Sequence, residues 1–363
     1  MRLRFQLVGG FLGAGKTSTI ARLASMHMRH GRRVGIVTND QAAALVDTRN
    51  LEMRGLTVAE VAGACFCCRF DELAAQIRNL TERAHPDIVI AEPVGSCTDL
   101  VATVIRPLQR FYAGALDVAP FLVVLKPSLA RTVLSSADIG ATSNVGYIFR
   151  KQLEEAKIIL INRCDELLPA EIERLVNLVK YHFLGATPII GSARNGQGFD
   201  TLFDMLERRG TAGDSDLNID YERYAAGEAE LGWLNANLRV AAARPFRVDE
   251  ALTDLIEDLR ISLDKQKASA AHIKVMGASA GGWGVANWVG AGAVPELSHT
   301  SGVESREVEL TINARVVMDP KDLESVIQAS VKNVVLRHGG QVLDWSSRSF
   351  RPGRPFPTHR LSS

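Results

Sequence analysis

The chain has 363 residues, enough for two or three domains, with an ordinary globular balance of 46% hydrophobic and 23% charged residues. Its 42 lysines and arginines nearly cancel its 41 aspartates and glutamates, so no bulk field favours nucleic acid or a membrane surface. No apolar run approaches the roughly 20 residues that cross a bilayer. A phosphate-loop pattern that begins by residue 10 also argues against a cleaved leader, so the expected location is cytoplasmic. There, five cysteines favour metal or redox chemistry over structural disulfides.

The first element is a strand over Leu3–Val8, followed by Gly10-Phe11-Leu12-Gly13-Ala14-Gly15-Lys16-Thr17 and then by helical spacing over Ser18–Arg29. Strand, G-x-x-x-x-G-K-T loop and helix in that order predict a nucleoside triphosphate site. Glycines let backbone N–H groups face a polyphosphate, and the helix N-terminus adds its positive dipole end. Gly10, Gly13, Ala14, Gly15, Lys16, Thr17 and Ser18 are the expected phosphate contacts, with Lys16 reaching the β- and γ-phosphates and Thr17 ligating Mg²⁺. A glycine-rich turn matching by chance is the alternative. On the same helix, His27 and His30 are expected to face solvent.

A second strand, Arg33–Thr38, ends at Asn39-Asp40, where Asp40 could orient an attacking water, touch the Mg²⁺ shell or simply cap a helix. After the strand Thr57–Val61 comes Cys65-Phe66-Cys67-Cys68, just before a helix over Asp71–Ala84. Three thiols within four residues suit Zn²⁺ or Co²⁺, with a fourth position left to another group. Buried apolar cysteines and a redox-active vicinal pair are the other readings. The strand Asp87–Ala91 runs into Glu92-Pro93-Val94-Gly95, where Glu92 could hold Mg²⁺ through water and the Gly95 N–H could sense the γ-phosphate; an ordinary proline–glycine turn is the alternative.

Strands over Pro120–Leu125, Lys157–Ile161 and Thr187–Gly191 alternate with helices over Pro169–His182 and Phe199–Arg208. That alternation predicts an α/β fold for residues 1–208: a mostly parallel sheet with helices on both faces and ligands at the strands' carboxyl ends. Residues 209–229 read as a linker, 230–340 as a small α+β domain for client or partner recognition, and 341–363 as a disordered basic tail with Arg348, Arg351, Arg354 and Arg360.

Asn162-Arg163-Cys164-Asp165 resembles the N-K-x-D element of P-loop GTPases, with arginine in place of lysine. The resemblance implies that Asn162 and Asp165 are nucleotide contacts, Asp165 accepting hydrogen bonds from guanine N1–H and the 2-amino group, and that Ser192 and Ala193 lie where a backbone N–H meets guanine O6. Together these favour GTP over ATP.

Four elements resemble the CobW-like family of P-loop GTPases, which act in metal delivery and metallocofactor assembly: residues 9–17, Glu60-Val61-Ala62-Gly63-Ala64-Cys65-Phe66-Cys67-Cys68, Glu92-Pro93-Val94-Gly95 and Asn162-Arg163-Cys164-Asp165. The family's leading cluster glycine is Ala64 here, the acidic run it carries after Asn39 is missing, and histidine-rich storage is absent. The resemblance implies a slow GTPase using Lys16, Asp40 and Glu92, with GTP/GDP and Mg²⁺ at the loop and Zn²⁺ or Co²⁺ at Cys65, Cys67 and Cys68. Its partner would be a client metalloenzyme or corrinoid protein, and a homodimer stays open. Two other readings remain: reactivation of a corrinoid-type enzyme without carrying free metal, and a GTP-regulated switch with structural cysteines.

Overall fold

The structure is a computed structural model and describes residues 2–40, 46–134, 143–208, 216–290 and 293–362. The chain divides into two units, residues 1–41, 55–227 and 354–363 in the first and 42–54 with 228–353 in the second. The expected linker lies partly outside the described residues, at 209–215.

In chain order the elements are β1 (Leu3–Gly9), α1 (Lys16–Arg29), β2 (Val34–Asp40), α2 (Val46–Met53), β3 (Thr57–Ala62), α3 (Phe70–Ala84) and β4 (Ile88–Glu92). A wide π-type turn over Val101–Ile105 leads into α4 (Arg106–Phe111), β5 (Leu116–Val118), β6 (Leu122–Leu125), α5 (Pro127–Val133) and α6 (Asn144–Glu154). Then come β7 (Ile158–Ile161), α7 (Pro169–His182), β8 (Thr187–Ile190), α8 (Phe199–Glu207) and α9 (Tyr221–Ala229). The first sheet runs β3-β2-β4-β1-β6-β7-β8, with β5 also beside β1, and all of its pairings are parallel. Its inner strands β2, β4, β6 and β7 are buried along their whole length, which is why they read as apolar runs, polar only at the carboxyl ends of β2 and β4, rather than as alternating ones. The chain moves from β1 to one side of the sheet and later returns to its other side, so the carboxyl end of β1 opens onto the crevice that such sheets use for ligands.

The second unit contains β9 (Gly232–Arg247), α10 (Val248–Lys265), β10 (Ala270–Ser279), β11 (Gly282–Trp288), β12 (Glu296–His299), β13 (Glu304–Val316), α11 (Pro320–Arg337) and β14 (Gly340–Phe350). Its antiparallel sheet has the order β12-β11-β10-β13-β9-β14. Leu252, Leu255, Ile256, Leu259 and Leu263 recur at helical spacing on α10 and bury against one face of this sheet together with α11. Asp319 caps α11 by accepting the Lys321 N–H at 2.9 Å, ahead of Pro320 in the first turn. Val46 of α2 packs on Met276 and Val285, whose chain neighbours Val275 and Ala286 point into the α10/α11 core, so α2 covers the opposite face. Asn313 Oδ1 accepts the Val46 N–H at 2.8 Å, Arg49 pairs with Glu309 at 2.6 Å, and Lys274 pairs with Asp47.

Three expectations change. The segment read as a linker contains α9, and the strand Gly340–Phe350, which takes in all but its first residue from the expected disordered tail, is paired along β9. Residues 354–362 lie against the first unit: Arg354 pairs with Glu222, and Arg360 donates to Asp99 at 2.7 Å. Finally, His27 is fully buried beside Phe203, with ring centroids 4.6 Å apart, while His30 is exposed.

Burial pushes His27 down to about 4. The folded protein therefore resists a proton that the unfolded chain accepts near pH 6.5, and this part of the stability is present above pH 6.5 and lost as the pH falls toward 4. Between pH 7 and pH 5 the wild type should lose roughly 1–2 kcal/mol more than His27→Leu. Urea unfolding of both proteins at the two pH values checks this; parallel losses would reject it.

Candidate nucleotide and metal site

The expected nucleotide residues of the first unit sit at the carboxyl ends of β1, β2, β4, β7 and β8 or in the loops that follow them, with Lys16, Thr17 and Ser18 opening α1. The loop after β1 is a close-fitting backbone cradle. Gly10 has φ 130° and Gly15 φ 96°; an added Cβ would collide with the Val124 carbonyl at the first and with the Asn162 amide at the second. No side chain caps α1, so its first N–H groups stay available to an anion. Lys16 and Thr17 are buried at the helix start, whereas Ser18 is exposed. The Thr17 hydroxyl donates to Glu92 Oε1 at 3.1 Å, and Lys16 Nζ lies 3.9 Å from the same oxygen. The residues expected to flank Mg²⁺ are therefore neighbours across β1 and β4, a hydroxyl and a carboxylate of the hard-oxygen type that Mg²⁺ takes.

Lys126, at the end of β6, adds a cation that the sequence did not flag. Burial first, and the nearby charges of Arg163 and Lys16 after it, push its ammonium down to about 8. Cations concentrated in one crevice create the positive potential that a polyphosphate neutralises.

The elements expected to read the base are joined by Asn162. Its amide donates to the Ala14 carbonyl at 2.9 Å, and its oxygen accepts the Ala193 N–H at 3.0 Å, so one side chain ties the phosphate loop to the loop after β8. Arg163 adopts φ 61°, and a short 3₁₀ turn over Cys164–Glu166 then leaves Asp165 exposed. Ser192 is fully buried. Arg22 of α1 holds the same loop by donating to the Ala193 carbonyl at 2.7 Å and to the Arg194 carbonyl at 2.6 Å.

Cys65, Cys67 and Cys68 bring their sulfurs together: Sγ–Sγ is 2.8 Å between Cys65 and Cys67, 3.3 Å between Cys65 and Cys68, and 3.7 Å between Cys67 and Cys68. Hydrogen bonds from Cys67 and Cys68 hold the Cys65 thiol well below its ordinary range; the contact with Cys65 pushes Cys68 up to about 11 and Cys67 upward as well. Three sulfurs this close together form a donor set of the kind that Zn²⁺ takes.

Residues 5–182 match the CobW/HypB/UreG nucleotide-binding domain. This domain belongs to that family. Among curated proteins, the zinc chaperone YeiR of Escherichia coli (strain K12) is 28% identical over 176 residues, covering 47% of this chain and 50% of its own. Zinc-regulated GTPase metalloprotein activator 1 of Dictyostelium discoideum is 20% identical over 215 residues, 50% of this chain and 44% of its own. Urease accessory protein UreG 2 of Bradyrhizobium sp. is 26% identical over 214 residues, 55% of this chain and 88% of its own. The chain spans about half the length of the first two relatives.

Within this CobW-type domain, sequence reasoning missed the residues that hold the motifs in place. Asn39, one residue before Asp40, donates to the carbonyls of Val61 and Ala64 at 2.9 and 2.8 Å and accepts the Phe66 N–H at 2.8 Å. Asp40 itself is buried, and its carbonyl accepts the Gly63 N–H at 3.0 Å. The end of β2 thus carries the cysteine loop directly. Beyond Glu92, Gly95 sits against the phosphate loop: a Cβ there would lie 2.7 Å from Leu12 Cδ2 and 3.1 Å from the Leu12 nitrogen. Residues 354–362 run past the thiols, with the Phe356 N–H donating to Cys68 Sγ at 3.2 Å and the Thr358 N–H to the Cys67 carbonyl at 2.8 Å. Among the described residues no helix is long and apolar enough to cross a membrane.

Proposed function

We propose that the protein is a GTPase whose nucleotide cycle drives delivery of a metal ion, or of a metal-containing cofactor, to a client metalloenzyme. The observation that carries the reading is the Asn39 side chain, one residue from Asp40, which ties β2 to Val61 of β3 and, through Ala64 and Phe66, to the loop bearing Cys65, Cys67 and Cys68. A change at the phosphate end of β2 would be felt at the thiols through a rigid strand rather than a slack loop. The kinship with proteins named as a zinc chaperone and a zinc-regulated GTPase supports zinc as cargo; cobalt suits the same thiolates.

In this reading the N–H groups of residues 10–18 and the Lys16 ammonium hold the β- and γ-phosphates and stabilise the charge that develops on them. Thr17 and Glu92 would hold Mg²⁺, which supplies further neutralisation of the phosphates when bound. Asp40 or Glu92 positions the water that attacks the γ-phosphorus, while Asp165, Asn162 and the Ser192–Ala193 backbone select guanine. Because no arginine stands among the phosphate-loop residues, turnover is slow until a partner assists. The second unit would serve client recognition.

Calorimetric titration of Zn²⁺ into the empty, GDP-bound and GTP-bound protein tests the link. The expected result is an affinity that changes about tenfold or more between the diphosphate and triphosphate forms, about 1.4 kcal/mol of coupling. Replacing Cys65, Cys67 and Cys68 together by serine should abolish tight binding in all three forms. Equal affinities in the three states would reject the coupling, and unchanged affinity in the triple variant would reject the thiols as the carrier.

A further inference from the structure

We infer that residues 354–362 form a strap that shuts the thiol cluster, and that Arg360, latched on Asp99, holds it closed until the ion is exchanged. The inference deepens the proposed function and rests on the reading that Cys65, Cys67 and Cys68 carry metal. The first half of the strap lies on the cysteine loop. The Phe356 N–H donates to Cys68 Sγ at 3.2 Å, and the Thr358 N–H to the Cys67 carbonyl at 2.8 Å. The Thr358 hydroxyl adds a third bond, to the Cys68 carbonyl at 3.1 Å. Cys65 and Cys67 are buried and Cys68 is half-buried, so the approach from solvent runs past Cys68, where the strap sits.

The second half is the latch. Arg360 donates to Asp99 Oδ2 at 2.7 Å and to the Leu217 carbonyl at 2.8 Å. Asp99 is buried, and the Tyr221 hydroxyl donates to the same oxygen at 2.7 Å. Taking the cation away from a buried carboxylate is costly, so the fold opposes the loss of Arg360. The next residue answers a second demand. In the π-type turn the Arg106 N–H goes to the Val101 carbonyl, and Pro107 has no N–H to give. The Ala102 carbonyl accepts the Leu361 N–H instead, at 2.9 Å, and Arg106 donates to the Leu361 carbonyl at 2.9 Å. Between thiols and latch, His359 stands edge-on to Phe70 and Phe111, with ring centroids 5.2 and 5.0 Å away.

The strap is fastened by these few polar bonds rather than by burial. Phe356, Thr358 and Arg360 are all exposed, and a segment with so little buried apolar surface opens far more readily than the sheet beneath it. Pro355 and Pro357 favour an extended backbone and offer no N–H, so the segment builds no helix or sheet ladder of its own. Because the Arg360 side chain is 41% exposed, a basic group of a client can reach Asp99 and take its place. Release of the latch would withdraw the Phe356 N–H from Cys68 and open the thiols to the client's own ligands.

Arg360→Ala and Leu361→Pro test the strap, since each removes a latch bond without touching a sulfur. The reduced, metal-free full chains are alkylated with iodoacetamide, and the rate at each cysteine is read by peptide mass spectrometry. Cys68 should react at least about tenfold faster in both variants than in the wild type, while Cys164, on the turn after β7, keeps its wild-type rate. From the Zn²⁺-loaded proteins, the chelator 4-(2-pyridylazo)resorcinol should likewise draw the ion faster in the variants. Unchanged Cys68 rates in both folded variants would overturn the strap and leave metal carriage intact. Faster alkylation with no Zn²⁺ uptake by any of the proteins would uphold the shielding and overturn metal carriage. Should both variants unfold, the wild type decides: Cys68 must react more slowly in the native protein than in urea, and equal rates would overturn the strap.

Discussion

Lys16→Ala is expected to reduce phosphate release from GTP by about a thousandfold, the usual scale for removing one preorganised donor from a developing negative charge. The effect should be that large because the ammonium is buried at the floor of the cradle, 7% exposed, where surrounding water cannot replace it. In the proposed reading it faces the transferred phosphoryl group; Glu92 Oε1 is 3.9 Å away, and Thr17, the next residue, donates to that same oxygen. The fold should survive, because α1 keeps the packing of Ile20, Leu23 and Ala24. A phosphate-release assay beside circular dichroism checks both halves of the expectation. Wild-type turnover in the folded variant would remove Lys16 from the chemistry.

Asp165→Asn should exchange the preferred base. A carboxylate accepts from guanine N1–H and the 2-amino group, whereas an asparagine amide also donates, to the carbonyl that xanthine carries at that position. Losing two charge-assisted hydrogen bonds would weaken GTP binding by roughly a hundredfold or more and bring xanthosine triphosphate within reach. The exposed position of Asp165, on its 3₁₀ turn, lets the exchange proceed without disturbing the core. Competition binding with both nucleotides reads the outcome; an unchanged preference would move the base site elsewhere.

The sequence made some parts of this molecule plain and hid others for identifiable reasons. Parallel strands buried on both sides must be apolar throughout, so β2, β4, β6 and β7 announced themselves, and the glycines at 10 and 15 mark places where a side chain cannot fit. The three thiols were visible because they are adjacent in sequence. His27 was misjudged although Leu23 and Ala24, four and three residues earlier, marked its side of α1 as the buried one. The tail looked unstructured because its arginines find partners, Glu222 and Asp99, more than a hundred residues away. The helix α2 escaped notice because only Val46, Leu51 and Met53 are apolar in its eight residues, and its hold on β10 and β13 is tertiary.

That helix and the returning tail have an evolutionary consequence. Residues 42–54 are an excursion from the nucleotide-binding unit into the second sheet, and 354–363 are a return from that sheet to the first unit. A recombination event with a single breakpoint near residue 210 would graft on a new carboxyl half but leave α2 facing a foreign sheet and strip the cysteine loop of its neighbouring strand of chain. Exchange of the carboxyl half alone would therefore cost α2 and residues 354–362 the partners they now have.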